Sequence, residues 1–330
     1  MTDIKYDVVG IGNAIVDVIG RCNDAFLAKH NAPKGHMRLV DADTVTTLYK
    51  DMGPAVEISG GSAANTMVGI ASFGGRAGFI GKVADDEFGR IFAHDIEAAR
   101  VAFTTPAAKG GAPTSRSLIL VTPDGERTMN TFLGVSPELN QGEVDAAMVK
   151  ASGIVYLEGY LFDQPAAKAA FRQAAGLARQ AGRKVALTLS DSFCVDRHRA
   201  EFLELIRKET DILFANESEI TSLYQTKVFD DAARQAKGDV KIAVLTRSAK
   251  GSLIMAGDKA VTVTPEPVRQ VVDTTGAGDL YAAGFLYGLS QGKSLDTCGR
   301  LGSIAAAEVI SHIGARPETS LAKLAKDRGI

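Results

Sequence analysis

The 330-residue sequence predicts an α/β protein in which a parallel sheet is covered by helices on both faces. Three observations carry this. From about residue 150 onward, short apolar runs alternate with longer amphipathic ones, the pattern of strand–helix–strand crossovers. Before that point the segments are more irregular and richer in β patterning, with no linker to mark off a second domain, so they read as an insertion on the same unit. The composition, 45% hydrophobic and 23% charged, supplies the apolar surface that ordering requires and excludes disordered, collagen-like and coiled-coil classes.

In chain order, residues 6–11 (YDVVGI) read as a buried strand and 14–20 favour a second. Residues 62–73 have helical apolar spacing behind Gly60-Gly61-Ser62, with Ser62 as a candidate N-cap. Residues 76–81 are strand-like and 86–99 helical. Residues 114–133 read as a hairpin, TSRSLILV and ERTMNTFL joined through Pro123-Asp124-Gly125. Strands expected at 153–157, 184–189, 211–215 and 241–246 then alternate with helices at 165–181, 198–208, 217–225 and 229–237. Two alanine-rich helices near 277–290 and 294–310 carry small residues that permit close packing.

The 37 basic and 39 acidic residues nearly cancel, so no basic surface for a nucleic acid is expected. The N-terminus lacks the pattern of a signal peptide and no run of apolar residues is long enough to span a membrane, so a cytoplasmic protein is expected. Cys22, Cys194, Cys298 and five scattered histidines fit neither a disulfide framework nor a zinc spacing.

The 34 glycines invite a test of each glycine-rich turn. Gly10-Ile11-Gly12-Asn13-Ala14-Ile15 lacks the third glycine of a dinucleotide fingerprint and leads into a strand, which rejects that reading. The stretch from Gly288 to Ser294 has one residue too few for a P-loop and follows a helix, so it reads as a cap at Gly292 and a restart at Ser294. The stretch from Val271 to Asp279 differs. It is expected to run from a strand through a small-residue turn into a long helix, leaving the N–H groups of Gly276, Ala277 and Gly278 free as an anion site. Asp279 is then either a first-turn acid complementing the dipole or a base taking a proton from a hydroxyl that attacks a bound phosphoryl group. Asn13 and Asp17, four apart on an expected strand, share a face that could hold a vicinal diol or simply face solvent. Asn216 and Glu219 fit a helix capping box as well as a ligand pair.

Asp273-Thr274-Thr275-Gly276-Ala277-Gly278-Asp279-Leu280-Tyr281-Ala282-Ala283-Gly284 resembles the C-terminal signature of the ribokinase/PfkB family of carbohydrate kinases. Gly60-Gly61-Ser62-Ala63-Ala64-Asn65 resembles its double-glycine motif, and Asn216-Glu217-Ser218-Glu219 its Asn-x-x-Glu motif. Within the family, Gly12 to Asp17, Asn23 to His30 and Met37-Arg38-Leu39-Val40 are similar to adenosine kinases. The resemblance implies one ribokinase-like three-layer α/β/α domain over 1–330, with a mostly parallel central sheet and a small β-sheet lid from segments 13–20, 34–58 and 110–134. It implies ATP and Mg²⁺, leaves room for K⁺, and points to phosphorylation of a nucleoside 5′-hydroxyl, adenosine first. A ribose- or fructose-like sugar is the alternative acceptor, and a non-catalytic binding protein on the same fold is the alternative class. A monomer is expected, with a lid-mediated dimer as the alternative.

The resemblance also assigns residues. Asp279 is the base, and Gly276, Ala277 and Gly278 form the anion hole. Asn13, Asp17, Gly61, Asn65 and Leu161 lie at the acceptor, and Arg127 is a basic lid residue facing phosphate. Asn216, Thr246, Gly251 and Gly314 lie at the nucleotide. Glu219 holds Mg²⁺ through water, and Asp273 and Thr275 contribute to a monovalent-cation site. Two departures stand out. Ser248 replaces a family glycine in the nucleotide loop, and the aromatics Tyr160 and Phe162 flank Leu161 where adenosine kinases place theirs after the glycine. Either ring could stack a base, with Ile15, Leu39 and Leu133 as apolar walls.

Overall fold

In the computed structural model, which describes residues 3–330, successive side chains along each central strand enter two different cores. The strands are β1 (Tyr6–Ile11), β2 (Ile15–Arg21), β3 (Met37–Leu39), β4 (Ala55–Gly60), β5 (Ala77–Ile80), β6 (Val101–Phe103), β7 (Ser115–Val121), β8 (Arg127–Phe132), β9 (Ser152–Glu158), β10 (Lys184–Thr188), β11 (Ile212–Asn216), β12 (Ile242–Thr246), β13 (Ser252–Ala256) and β14 (Lys259–Val263). Nine of them form a sheet in the order β14-β13-β12-β11-β10-β9-β1-β5-β6. It is parallel from β12 to β6, and β13 and β14 close one edge as an antiparallel hairpin. Val8, Tyr156, Ala186, Phe214 and Val244 pack on one face, against helices Ser62–Ser72, Ala277–Ser290 and Leu295–Val309. Val9, Leu157, Leu187, Leu213 and Leu245 pack on the other, against Pro165–Gln180, Ser192–Glu209, Glu217–Leu223 and Phe229–Asp239. This double burial is why the strands read as continuous apolar runs.

The remaining five strands form a smaller sheet in the order β3-β8-β7-β2-β4. The predicted hairpin is β7–β8, and β2 joins it in parallel while pairing antiparallel with β4. Register places Ile58, Asp17, Ser117, Thr131 and Leu39 in one row across this sheet. The alternate residues Val16, Val18, Leu118 and Leu120 are buried with Val45, Leu48, Phe88 and Phe92 of helices Ala42–Asp51 and Glu87–Ala98. The Asp17 row therefore lies on the face these helices leave uncovered.

Small residues set the geometry of the helices that matter for the site. A Cβ on Gly69 would lie 2.6 Å from Ala283 Cβ, and one on Gly284 would lie 2.4 Å from the Leu301 carbonyl. Helix Ala277–Ser290 is thus pressed against both of its neighbours, and a side chain at either glycine would overpack the contact by about 1–3 kcal/mol. Asp279 and Asn65 each lie four residues before the contact pair Ala283 and Gly69, so the two helices run side by side with their N-termini level.

Several expectations are corrected. Residues 271–274 form no strand; the Val272 N–H donates to Ile310 O at 2.8 Å, at the end of a helix instead of a sheet. Asn13 lies in the turn between β1 and β2, so it does not share a strand face with Asp17. The N-cap of helix Ser62–Ser72 is Gly61, which frees the Ser62 hydroxyl for another partner. The helix expected at 198–208 begins at Ser192, capped by Asp191, and bends at His198. Strands β4, β6, β13 and β14 and helices Ala42–Asp51, Ala146–Lys150 and Leu321–Asp327 have no counterpart among the expected elements; Ala42–Asp51 carries three threonines and a valine, which favour strand, and starts on the Asp41 cap.

Candidate active site at the C-terminal strand ends

Parallel sheets bind ligands beyond the C-terminal ends of their strands. Here β1, β9, β11 and β12 deliver Asn13, Glu158, Asn216 and Thr246 to one side of the sheet. Asp279 faces the same region from the first turn of its helix. Its Oδ1 accepts from Ser62 Oγ at 2.6 Å and its Oδ2 from Asn65 Nδ2 at 3.1 Å. Both donors come from the level N-terminus of the neighbouring helix. Desolvation pushes the Asp279 carboxyl above the usual carboxylate range, and these two hydrogen bonds and the positive charge of Arg316 offset part of the rise.

The double glycine is a requirement of close approach. Gly61 has φ +100°, and a Cβ there would lie 2.1 Å from the Asn13 carbonyl oxygen. A Cβ on Gly60 would lie 2.4 Å from Asp17 Oδ2, and one on Gly12 would lie 2.3 Å from Glu158 Oε2. Glu158 is buried and ties the corner together. It accepts from Asn13 Nδ2 at 2.8 Å, from the Asn13 N–H at 3.2 Å and from the Ala63 N–H at 2.8 Å. Burial lifts its pKa to about 7, against the pull of these bonds. Asn13 Oδ1 also accepts from Ser136 Oγ at 3.0 Å, so its side chain is engaged by the protein on both ends. Among the described residues Asp17 has no such partner; burial raises its pKa to about 6, opposed by Arg316 and Arg127 and reinforced by Asp279.

The anion loop has one glycine whose backbone and surroundings exclude a side chain and one with open space around it. Gly276 has φ +79° and would meet Ala315 Cβ at 2.8 Å if it carried a Cβ. Gly278 lies in the first helical turn, and a Cβ there would meet nothing within 4 Å. Arg127, at the start of β8, reaches this loop from the smaller sheet. It forms an ion pair with Asp273 and donates to Thr275 Oγ1 at 2.7 Å, with its side chain only 9% exposed. Its Nε and Nη2 are buried without a hydrogen-bond partner. Asp273 further accepts from the N–H groups of Thr275 at 3.0 Å and Gly314 at 2.9 Å. The two residues expected to contribute to a monovalent-cation site thus engage a guanidinium.

On the nucleotide side, Asn216 and Glu219 form the capping box. Glu219 Oε1 accepts from Asn216 Nδ2 at 2.6 Å and Oε2 from the Asn216 N–H at 3.0 Å, and burial raises its pKa to about 7. Gly251 has φ +80° and closes a tight turn against Val263 O, while Thr246 ends the adjacent strand. Ser248 adopts φ +51°, the left-handed backbone that favours the glycine it replaces. Among the described residues no cluster of three or more His, Cys, Asp or Glu could hold a metal ion by itself, and no helix is long and apolar enough to cross a membrane.

Leu161 does not line this region. It is buried in the core beneath the sheet, because residues 159–163 form a short 3₁₀ turn that sends Leu161 and Phe162 inward. Phe162 stacks on Phe202, which leaves the half-exposed Tyr160 as the aromatic side chain available there. Sequence reasoning missed Glu158, Ser62 and Arg316 as site residues. Glu158 was legible as a lone acid ending an apolar strand, and Ser62 as part of the double-glycine motif. Arg316 carried no local signal.

A family model described as pfkB family carbohydrate kinase matches residues 49–321. The crystal structure of an adenosine kinase from Sinorhizobium meliloti is 54% identical, with a TM-score of 0.90, covering 98% of this chain and 99% of that one. That of a probable sugar kinase from Rhizobium etli is 51% identical, with a TM-score of 0.91, covering 100% and 99%. A relative from Archaeoglobus fulgidus, named only as an uncharacterized sugar kinase, is 31% identical over 76% of this chain and 97% of its own length.

Proposed function

The chain belongs to the pfkB family of carbohydrate kinases, and we propose that it transfers the γ-phosphoryl group of ATP to the 5′-hydroxyl of a nucleoside, adenosine first. The fold is the ribokinase-like α/β fold with its smaller second sheet. The observation that carries the reading is the position of Asp279. It is held by Ser62 and Asn65 beside a helix N-terminus whose Gly278 faces open space, and Arg127 brings unpartnered donors to the same loop.

In this reading Asp279 accepts the proton of the attacking hydroxyl. Ser62 and Asn65 fix its orientation, and desolvation keeps it basic. The N–H groups of Gly276 and Gly278 and the helix dipole stabilise charge on the transferring phosphoryl group, whereas the expected third donor, the Ala277 N–H, closes the turn by donating to the Thr274 carbonyl at 3.3 Å. Arg127 stays anchored on Asp273 through one nitrogen while Nε and Nη2 donate to phosphate oxygens. Asp17, with no hydrogen-bond partner among the described residues and on the open face of the smaller sheet, accepts hydrogen bonds from two hydroxyls of the sugar, and Asn13 and Glu158 hold the corner beside it. Mg²⁺ supplies charge neutralisation on the phosphates in such kinases; Asn216 and Glu219, whose oxygens keep further lone pairs, would hold its waters. The segments 13–20, 34–58 and 110–134 act as the lid.

The nucleoside is favoured by the high identity to an adenosine kinase over nearly the whole chain, and by apolar Ile15, Ile19 and Ile58 around Asp17. A sugar acceptor is the second reading, supported by the sugar-kinase names of the other relatives. ADP release measured across adenosine, inosine, guanosine, ribose, fructose and fructose 6-phosphate separates the two. Turnover on adenosine well above every sugar is expected; turnover on a sugar alone would reject the nucleoside.

A further inference from the structure

Arg316 lies in the loop after helix Leu295–Val309, and three consecutive residues of that loop touch three parts of the site. The Gly314 N–H donates to Asp273, and Ala315 is the residue against which Gly276 is pressed. Arg316 reaches across to the double-glycine corner. Its Nε donates to the Ser59 carbonyl at 2.9 Å, Nη1 to the Ala64 carbonyl at 3.3 Å, and Nη2 to Ser59 Oγ at 2.9 Å and to the Ser59 carbonyl. Ser59 and Ala64 flank the Gly60-Gly61-Ser62 turn on either side. Ser59 is itself held by Asp95, whose Oδ2 accepts from the Ser59 N–H at 2.8 Å and from its hydroxyl at 2.5 Å.

Every nitrogen of this guanidinium donates, and among the described residues no carboxylate accepts from it. A desolvated cation satisfied only by neutral oxygens is costly unless charges further off balance it. The charged groups facing it are Asp95 on helix Glu87–Ala98, Asp17 on β2 and Asp279 on helix Ala277–Ser290; desolvation nonetheless lowers its pKa to about 10. Asp17 also faces Arg127.

We propose that Arg316 is a positioning residue for phosphoryl transfer: it clamps the backbone on both sides of Gly60-Gly61, so that Ser62 and Asn65 present Asp279 in register with the anion loop, and it sets its charge between Asp17 and Asp279. The proposal rests on Asp279 being the base. Geometry ties the acceptor corner and the loop bearing Gly276 to one short segment, so a disturbance at 316 reaches both halves of the site.

The test compares Arg316→Gln and Arg316→Lys with the unchanged enzyme, by steady-state kinetics against pH and by thermal unfolding. Arg316→Gln is expected to lower kcat at least tenfold at pH 7 with little change in KM for ATP, and to move the acid limb of kcat up by about one pH unit, since a positive charge is lost beside Asp279. Arg316→Lys keeps the charge but not the fork, so its acid limb stays in place while kcat falls several-fold. A lower melting temperature with an unmoved acid limb in Arg316→Gln would mean mere structural support and overturn the proposal, as would unchanged kcat. If Arg316→Gln does not fold, an acid limb displaced in Arg316→Lys overturns it. Asp279→Asn run in parallel keeps the two readings apart: normal turnover in that variant removes the base, whatever Arg316 does.

Discussion

Replacing Gly278 by alanine separates folding from function more cleanly than any other change in the anion loop. Gly278 sits in the first turn of helix Ala277–Ser290 with an ordinary negative φ, and an added Cβ would meet no atom within 4 Å. Alanine at a position whose backbone it can adopt without strain restricts the unfolded chain more than glycine does, so Gly278→Ala should be more stable by about 0.4–1 kcal/mol. For a chain of this size that raises the melting temperature by roughly 1–3 °C. The new methyl, however, leans toward the helix N-terminus, into the space where a phosphoryl oxygen would approach the free N–H groups. Loss of one such donor costs on the order of 10²–10³ in kcat, or about 3–4 kcal/mol. Gly276→Ala is the contrast. At φ +79° and 2.8 Å from Ala315 Cβ it carries backbone strain of about 1–2 kcal/mol and overpacking of about 1–3 kcal/mol, so it should melt lower as well as lose activity. Scanning fluorimetry and a coupled ADP assay on both variants read the two effects. A Gly278→Ala enzyme that is more stable and fully active would refute an anion at this helix end; one that melts like Gly276→Ala would refute the open-space reading.

Other outcomes follow from the charges. Asp17, whose pKa burial raises to about 6, must be ionised to accept hydrogen bonds from two hydroxyls, so KM for the acceptor should rise as pH falls below about 6, and Asp17→Asn should raise KM and flatten that dependence. Because the folded state raises this pKa above its unfolded value, ionisation of Asp17 subtracts stability as pH climbs from 3.8 to about 6; Asp17→Asn should therefore be more stable at pH 7 by on the order of 1–3 kcal/mol, and an unchanged melting temperature would contradict the burial argument. Arg127→Met should cut kcat by about 10²-fold or more, with acceptor binding measured by calorimetry nearly unchanged; equal loss of both would point to collapse of the smaller sheet instead. With Arg127 on Asp273 and Thr275, initial rates should be the same in potassium and in tetramethylammonium salts, and strong potassium activation would show that a cation displaces the guanidinium.

Most of the fold was legible because the central strands are buried on both faces and announce themselves as apolar runs between amphipathic helices. The smaller sheet was harder. It is assembled from segments far apart in the chain, and β4 pairs with β2 only after helix Ala42–Asp51 has intervened. Within the site, Asp279 and the double glycine were visible as motifs, yet the Gly69–Ala283 contact that brings them together was not. Nor could spacing show that Asn13 would leave the strand, that the 3₁₀ turn would bury Leu161, or that Asp273 would be claimed by Arg127. Asn13 is held by Glu158 across 145 residues, and Arg127 reaches the Asp273-Thr275 turn across 148 at Thr275, separations that no local pattern encodes. Arg316 is the extreme case: an arginine in a C-terminal loop whose acceptors on Ser59 and Ala64 lie 257 and 252 residues earlier.

The central claim is that Asp279 removes the proton from the acceptor hydroxyl. The direct test is Asp279→Asn, which keeps the size of the side chain but not its basicity; its amide oxygen can still accept from Asn65 Nδ2, and its NH2 can donate to the Ser62 hydroxyl with that hydrogen bond reversed. Adenosine affinity by calorimetry should stay within a few-fold and the melting temperature should not fall, while kcat for 5′-AMP formation should drop by about 10²–10⁴. A kcat within a few-fold of the unchanged enzyme would contradict the assignment.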